Sequence, residues 1–471
     1  MEDFYEFDEE YRDTIATVDA EGKRIWVYPK KPTGRFHKAR IIVTIVLLTI
    51  LFAGPFIKIG GQPLLLFNIF ERKFVILGTV FWPQDFFLLA LALITFFVFI
   101  ILFTVIFGRV WCGWACPQTL FMEMVFRKIE YWIEGDANQQ RKLDKSPWTG
   151  EKILKKGSKH LIFILISVLI SHTLMAYLIS IEEVKKIVSQ SPTEHMAGFI
   201  GLVFFTGLFY WVFAYFREQA CVAVCPYGRL QGVLLSKESI VVAYDWLRGE
   251  PRGKLKKKEP ATDKGDCIDC KLCVHACPTG IDIRNGTQLE CVNCTACIDA
   301  CDDVMEKIHK PKGLIRYSSH NAIKDGKKEV LTTRVYAYSV VLLLMMTALT
   351  AFIVTRSDIE ATVLRVPGML YQEAEDGKIS NLYNIQFINK TSEDMALELR
   401  LENFDEGEIS KVGGEKMTIE SNGKADGVFF VKLPRELVKN GKAEVEIGFY
   451  RNGELIETET TNFLGPMGNR K

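Results

Sequence analysis

Eight of the twelve cysteines in this chain fall into two consecutive runs of one spacing, which dictates how that stretch of backbone must wind. The runs read Cys267-x-x-Cys270-x-x-Cys273-x-x-x-Cys277-Pro278 and Cys291-x-x-Cys294-x-x-Cys297-x-x-x-Cys301. Closely spaced thiols wrap one tight loop around three corners of a small object, and the fourth corner must come from farther away. This is the ligand spacing of two [4Fe–4S] clusters, in which the last cysteine of each run serves the other run's cluster. The spacing therefore assigns Cys267, Cys270, Cys273 and Cys301 to one cluster. Cys277, Cys291, Cys294 and Cys297 take the second. Zinc fits poorly, because its sites pair cysteines across a longer spacer. Pro278 turns the chain away from a helix, whereas Cys301 is followed by Asp302, so the local turn differs there. His275, inside the first run, reads as a neighbour that tunes a cluster. Such sites imply one-electron chemistry.

The same chain carries a membrane signature. Apolar residues make up 48% and aromatic residues 12%, and they concentrate in five stretches. These run over Ile41–Ile57, Phe86–Gly108, Leu161–Ile181, Met196–Phe216 and Val335–Thr355, each close to the roughly 20 residues a spanning helix needs. Lys and Arg crowd the segments before the first stretch, between the second and third, and between the fourth and fifth. The intervening loops hold few, such as Arg72, Lys73, Lys185 and Lys186. The positive-inside rule then puts the N-terminus in the cytoplasm and the C-terminus outside. Residues 1–20 are acidic and lack the apolar core of a signal peptide. All twelve cysteines fall on the cytoplasmic side in this topology, which suits ligand thiols better than disulfides. The net charge of +1 gives no ground for nucleic-acid binding.

The expected divisions are a cytoplasmic tail (1–40), four membrane helices (41–216), a cytoplasmic ferredoxin-like module (217–333), a fifth span (334–356) and an outer domain (357–471). In the outer domain Met395–Glu402 and Ala443–Tyr450 alternate apolar and polar residues, and Asn452-Gly453 is a hairpin turn. One small β-sandwich without chemistry of its own is the expectation.

Four cysteines remain. Cys112-x-x-x-Cys116-Pro117 follows the second span and Cys221-x-x-x-Cys225-Pro226 the fourth. If the helix continues, thiols four apart share one face, and the following proline favours ending it. Two such pairs offer a four-thiolate site for a further cluster, for Cu(I), which thiolates prefer, or for a redox-active dithiol. Inert boundary cysteines are the plainer alternative. His172, Met175, His195 and Met196 are weaker copper or haem candidates; hydrogen-bonded histidines and packing methionines explain them more simply. Leu120–Trp132 carries Phe121, Met124, Val125, Ile129 and Trp132 at helical spacing and predicts an amphipathic helix along the inner membrane surface. The Lys254–Lys258 run reads as a contact to anionic lipid or a solvated linker.

Together the motifs resemble the FixG-like (CcoG) cytochrome c oxidase accessory proteins of bacteria, a membrane polyferredoxin family. The resemblance runs through WVYPKKPTGRF at Trp26–Phe36, FWPQDFFL at Phe81–Leu88, GRVWCGWACPQT at Gly108–Thr119 and CVAVCPYGR at Cys221–Arg229, and is longest over Gly265–Ser319. It implies a multi-pass protein of the bacterial inner membrane with a periplasmic immunoglobulin-like C-terminal domain. It also implies a role in maturing a cbb-type oxidase, with oxidase subunits or copper-delivery proteins as partners and an electron donor still to be named. The expected reaction is reduction of Cu(II) to Cu(I) at Cys112, Cys116, Cys221 and Cys225. The alternatives are a quinol dehydrogenase feeding a respiratory partner and a non-enzymatic assembly scaffold.

Overall fold

The computed structural model describes residues 17–18, 21, 23–254, 264–326, 330–357, 359–374, 377–391, 393–412, 417–451 and 453–466. Most of the acidic N-terminal segment, residues 255–258 of the basic run and Asn452 of the expected turn lie outside them. Among the described residues, five helices are long and apolar enough to cross a membrane. They are α1 (Arg35–Ala53), α2 (Phe86–Phe107), α3 (Gly150–Ile179), α4 (Met196–Trp211, wound on to Phe216 as a π-type turn) and α5 (Thr333–Val354).

Helix α3 starts eleven residues before the apolar stretch read at Leu161, so its first turns are basic. Its 30 residues span about 45 Å, more than the roughly 30 Å of a hydrocarbon core. The extension holds because Thr149 caps it, its Oγ1 accepting from the Lys152 amide at 3.3 Å. Acidic partners also take its lysines: Lys156 pairs with Asp144 at 2.6 Å and Lys159 with Glu134 at 2.8 Å.

The stretch expected to lie along a membrane surface is packed inside protein instead. Pro117–Leu120 is α-helical, Phe121–Phe126 widens to a π-helix, and Arg127–Ile133 returns to α. The π turn rotates the pattern, so Phe121, Met122 and Phe126 enter a core with Phe163 of α3 and Phe213 beyond α4. The Phe126 and Phe213 rings stack at 4.5 Å. The opposite face is covered as well, with Arg127 and Glu130 buried; only Trp132 of the expected stripe is fully exposed.

The ferredoxin-like module repeats one backbone pattern twice. Asp269 and Lys271 in the first cysteine loop, and Asn293 and Thr295 in the second, all have positive φ between 50° and 65°. The helix Ala296–Lys307 runs on through Cys301, where no proline stops it. A two-stranded sheet, β1 (Val241–Tyr244) antiparallel to β2 (Ile315–Ser318), closes the cysteine loops between its strands. The module is tied to α1: the Asp299 carboxylate accepts the Phe36 and His37 amides at 3.1 and 2.8 Å, satisfying donors that a helix N-terminus leaves open.

The C-terminal unit is a two-sheet β structure. One sheet orders β7 (Glu408–Lys411), β9 (Lys424–Leu433), β5 (Ile379–Asn389) and β3 (Ile359–Arg365), with β4 (Gln372–Glu373) pairing β5. The other orders β8 (Met417–Ile419), β6 (Met395–Leu401), β10 (Lys442–Arg451) and β11 (Glu454–Leu464). Alternate residues point inward, so Tyr383, Phe387, Phe429, Phe449 and Phe463 form its core. Polar ties join the sheets: Tyr383 Oη donates to the Asn462 carbonyl at 2.9 Å, and Glu457 accepts the Ala361 amide at 3.0 Å.

Candidate functional site

Two cavities open inside the ferredoxin-like module. Cys267, Cys270, Cys273 and Cys301 line one, with Tyr244, Arg284, Val304, Met305, Leu314 and others. Cys277, Cys291, Cys294 and Cys297 line the other, with Val242, Ile281, Ile283 and Thr295; Cys273 borders both. Each cavity thus gathers three thiols of one run and the last thiol of the other. Burial pushes the Cys294 thiol up to about 11, and Cys273, Cys291 and Cys301 up to about 12. Crowded, mostly buried thiols in a largely apolar wall fit iron–sulfur ligation, because bound metal stabilises the thiolate that burial disfavours. Cys270 is the exposed member of the eight. His275 is also exposed, and its carbonyl accepts the Lys30 amide at 2.8 Å; nothing places its ring against a cavity.

The two CxxxCP segments do not continue as one helix, and each breaks at its Cys-Pro step, where the proline favours an end. Cys112 sits in the short helix Val110–Trp114, but Cys116 is extended, with ψ 123°, and opens the next helix at Pro117. Cys225 is likewise extended, with ψ 111°, and Pro226 starts another helix. In both, the second cysteine's amide reaches back five residues, to Trp111 and Ala220, at 2.9 Å. Proline at a first helical position needs no amide partner, so each Cys-Pro both ends one helix and begins another. The backbone repeat reaches further back: Gly108 has φ 56° and ψ −128°, and Arg217, at the matching position, has φ 53° and ψ −126°.

These folds bring the four thiols within electrostatic reach of one another. Burial first, then the neighbouring thiols, push Cys112 and Cys221 up to about 12. Cys112 Sγ also donates to Gln231 Oε1 at 3.1 Å. Among the described residues, no three His, Cys, Asp or Glu side chains converge on a point where a single ion would sit.

The first pair is docked against the second cysteine loop of the module. A Cβ on Gly113 would lie 2.5 Å from the Val292 carbonyl oxygen and 2.7 Å from that of Asn293, so only glycine permits this approach. Cys112 packs on the buried group of Ala276, Val292, Cys294 and Ala296. Trp114 Nε1 donates to Tyr317 Oη at 2.9 Å, and Tyr317 donates to the Asn293 carbonyl at 3.2 Å. Arg40 Nε donates to the Gly113 carbonyl at 3.0 Å, and Arg109 donates to the carbonyls of Leu289 and Gly228. The second pair follows an ion-pair network instead. Arg217 binds Glu130 through two bonds of 3.1 and 2.6 Å, and Arg127 pairs with Glu123 at 2.9 Å. Trp26 lies between Arg24 and Arg217, with cation–ring distances of 4.5 and 4.8 Å.

His172 and His195 do not gather. The His172 ring meets the Val168 carbonyl of its own helix at 2.7 Å, and His195 meets Gln190. Met175 is packed in the core between α3 and α4, while Met196 is exposed.

Comparison with known proteins places this architecture. Residues 216–320 match the 4Fe-4S dicluster domain family, residues 89–135 a 4Fe-4S binding domain family, and residues 349–466 the family described as an IG-like fold at the C-terminal of FixG. Protein RdxB of Cereibacter sphaeroides is 36% identical over 395 residues, covering 79% of this chain and 80% of the relative. Protein RdxA of the same organism is 34% identical over 391 residues, with 80% and 82% coverage. The chain belongs to the FixG family. Nitrogen fixation protein FixG of Rhizobium meliloti extends the match, at 31% identity over an alignment of 472 residues that covers 91% of this chain and 89% of the relative. This FixG-family protein is therefore an iron–sulfur protein with five apolar helices and an immunoglobulin-like C-terminal domain. The 89–135 match contains Cys112 and Cys116, and the 216–320 match contains Cys221 and Cys225.

Proposed function

We propose that this protein reduces Cu(II) to Cu(I) during maturation of a cbb-type haem–copper oxidase. One observation carries the reading: Cys112, which lies among the four CxxxCP thiols, packs on the same buried group as Cys294, a thiol of an iron–sulfur cavity. Cys267, Cys270, Cys273 and Cys301 would hold one [4Fe–4S] cluster, and Cys277, Cys291, Cys294 and Cys297 the other. Such clusters, when bound, supply one-electron storage whose potential the protein tunes. Cys112, Cys116, Cys221 and Cys225 would take the copper ion as substrate. Soft thiolates favour the reduced ion, so they hold the product once one electron has arrived; no bond to carbon or oxygen is made or broken.

The distribution of Lys and Arg supports a cytoplasmic N-terminus and ferredoxin-like module in the bacterial inner membrane, with the immunoglobulin-like domain in the periplasm. An oxidase subunit or a copper-delivery protein is the fitting recipient.

The test is anaerobic metal analysis with EPR of the reduced, full-length protein during stepwise Cu(II) addition. About eight irons per chain are expected for two cubane clusters, with cluster oxidation matching loss of the Cu(II) signal. Replacing the four CxxxCP cysteines by serine should leave the iron and abolish the reduction. Clusters that stay reduced while Cu(II) persists would sink the proposal.

A further inference from the structure

The two iron–sulfur cavities differ in the charges around them. Arg284 lines the Cys267–Cys270–Cys273–Cys301 cavity, and its charge is already taken: it meets Asp269 at 2.6 Å and Asp282 at 2.6 Å. Asp302, next to Cys301, adds a third carboxylate there, met by Arg35 at 3.5 Å from a largely exposed position. The other cavity has the reverse surroundings. Arg40 and Arg109 are 3% and 5% exposed, and neither has a carboxylate partner among the described residues. Their bonds go to backbone carbonyls of Gly113, Leu289 and Gly228. Arg40 Nη2 and Arg109 Nε are buried with no hydrogen-bond partner. Both lie at the second cysteine loop: Arg109 donates to the carbonyl of Leu289, just ahead of Cys291, and Gly113, whose carbonyl Arg40 holds, abuts Val292 and Asn293. Glu123 also faces Cys294, but it is paired with Arg127.

Two guanidinium groups buried without anions would carry an uncompensated desolvation penalty. The missing negative charge would be supplied by the four thiolates that ligate a bound cluster. A nearby fixed cation stabilises the more negative, reduced state of a cluster and so raises its potential, since net charge, hydrogen bonding and exposure set that potential.

We propose that Arg40 and Arg109 are the built-in counter-charges of the Cys277–Cys291–Cys294–Cys297 site, and that they raise its reduction potential above that of the Cys267–Cys270–Cys273–Cys301 site. The latter, with Cys270 exposed, is the entry point for a soluble one-electron reductant. With both clusters bound, one electron would pass from the entry site, oxidising it, to the site beside Arg40 and Arg109, reducing it, with no proton moved. That site adjoins Cys112, so it is also the exit toward the CxxxCP thiols. Only this last clause rests on the function proposed above; the order of potentials does not.

The experiment is a copper-free anaerobic redox titration of the full-length protein, followed by EPR. The two cluster signals are assigned with Cys294→Ser and Cys270→Ser. Arg40→Gln and Arg109→Gln should each move the higher midpoint to more negative values, by at least a tenfold change in electron partition, about 59 mV for one electron. Arg40→Lys should restore it, and Arg284→Gln should move only the lower midpoint. Should Arg40→Gln lose one cluster outright, restoration by Arg40→Lys supports the proposal and failure to restore overturns it. Unmoved midpoints, or a shift confined to the cluster perturbed by Cys270→Ser, would also overturn it. Copper left unreduced by a wild-type protein whose potentials follow the expected order would sink the functional reading alone.

Discussion

The two CxxxCP segments share a backbone and differ in everything packed against it. Their corner residues, Gly108 and Arg217, have nearly the same φ and ψ, and both Cys-Pro steps are extended. Yet Cys112 is followed by Gly113, which lets the cysteine loop of the ferredoxin-like module lie directly on it. Cys221 is followed by Val222 and preceded by Arg217 and Glu218, which join buried charges on Pro117–Ile133 and α3. A glycine tolerates the Gly108 conformation freely, whereas Arg217 is strained there by about 1–3 kcal/mol, an expense its bidentate bond to Glu130 offsets. The local sequence makes the repeat, and the surroundings divide the labour. The first pair faces the electron store, and the second anchors the site to the helices.

The comparison breaks most sharply at Gly113. Gly113→Val places a Cβ against two backbone oxygens that have little room to yield, so iron content and folded protein should both collapse. The matched change Val222→Gly should keep its iron and lose at most about 2 kcal/mol. On the other side, Glu130→Ala leaves buried Arg217 with only Glu218, at 3.7 Å, and should destabilise the protein by about 3 kcal/mol in detergent unfolding measurements. An unchanged melting midpoint would show that the network does not anchor the second pair. Trp114→Phe removes one hydrogen bond to Tyr317, which still donates to Asn293, and should cost about 1 kcal/mol without loss of iron. The smallest effect tests what the pairs share. Cys112 and Cys221 are both pushed up to about 12, which favours the neutral thiol. In metal-free pairs their alkylation should therefore be slow near neutral pH and rise tenfold per pH unit toward that value, alike at both positions. A fast reaction at one cysteine only would break the symmetry.

Much of this was legible before any coordinates. Five apolar stretches announce five helices, because a helix long enough to span a bilayer needs about 20 consecutive apolar residues. Alternation over Met395–Glu402 and Ala443–Tyr450 announces strands, because a strand's side chains alternate faces. The cysteine spacing alone groups the thiols as the two cavities do. Less was legible where a local rule met a tertiary neighbour. Leu120–Trp132 has the stripe of a surface helix, but a π turn and buried partners for Arg127 and Glu130 place both faces inside protein. The basic start of α3 lies outside the apolar stretch that marks the span, because its lysines carry charge; Asp144 and Glu134 neutralise them. Arg40 and Arg109 counted only as positive-inside residues, and their burial beside thiols has no signature in the local sequence. The repeat of Cys112–Pro117 at Cys221–Pro226 is legible in the spacing, but its extension to the shared corner at Gly108 and Arg217 is not, because the two corner residues differ.

By itself the sequence determined the kinds of parts: helices fit for a membrane, loops shaped for iron–sulfur ligation, and a β domain. Each depends on residues within a few positions of one another, where periodicity and spacing act directly. Only the tertiary structure decided which cavity adjoins Cys112, and which arginines lie buried without carboxylates. Those facts depend on Gly113 meeting Val292 and on Arg40 meeting the Gly113 carbonyl. Contacts between residues so far apart in the chain are set by how whole elements dock, and no local pattern encodes that.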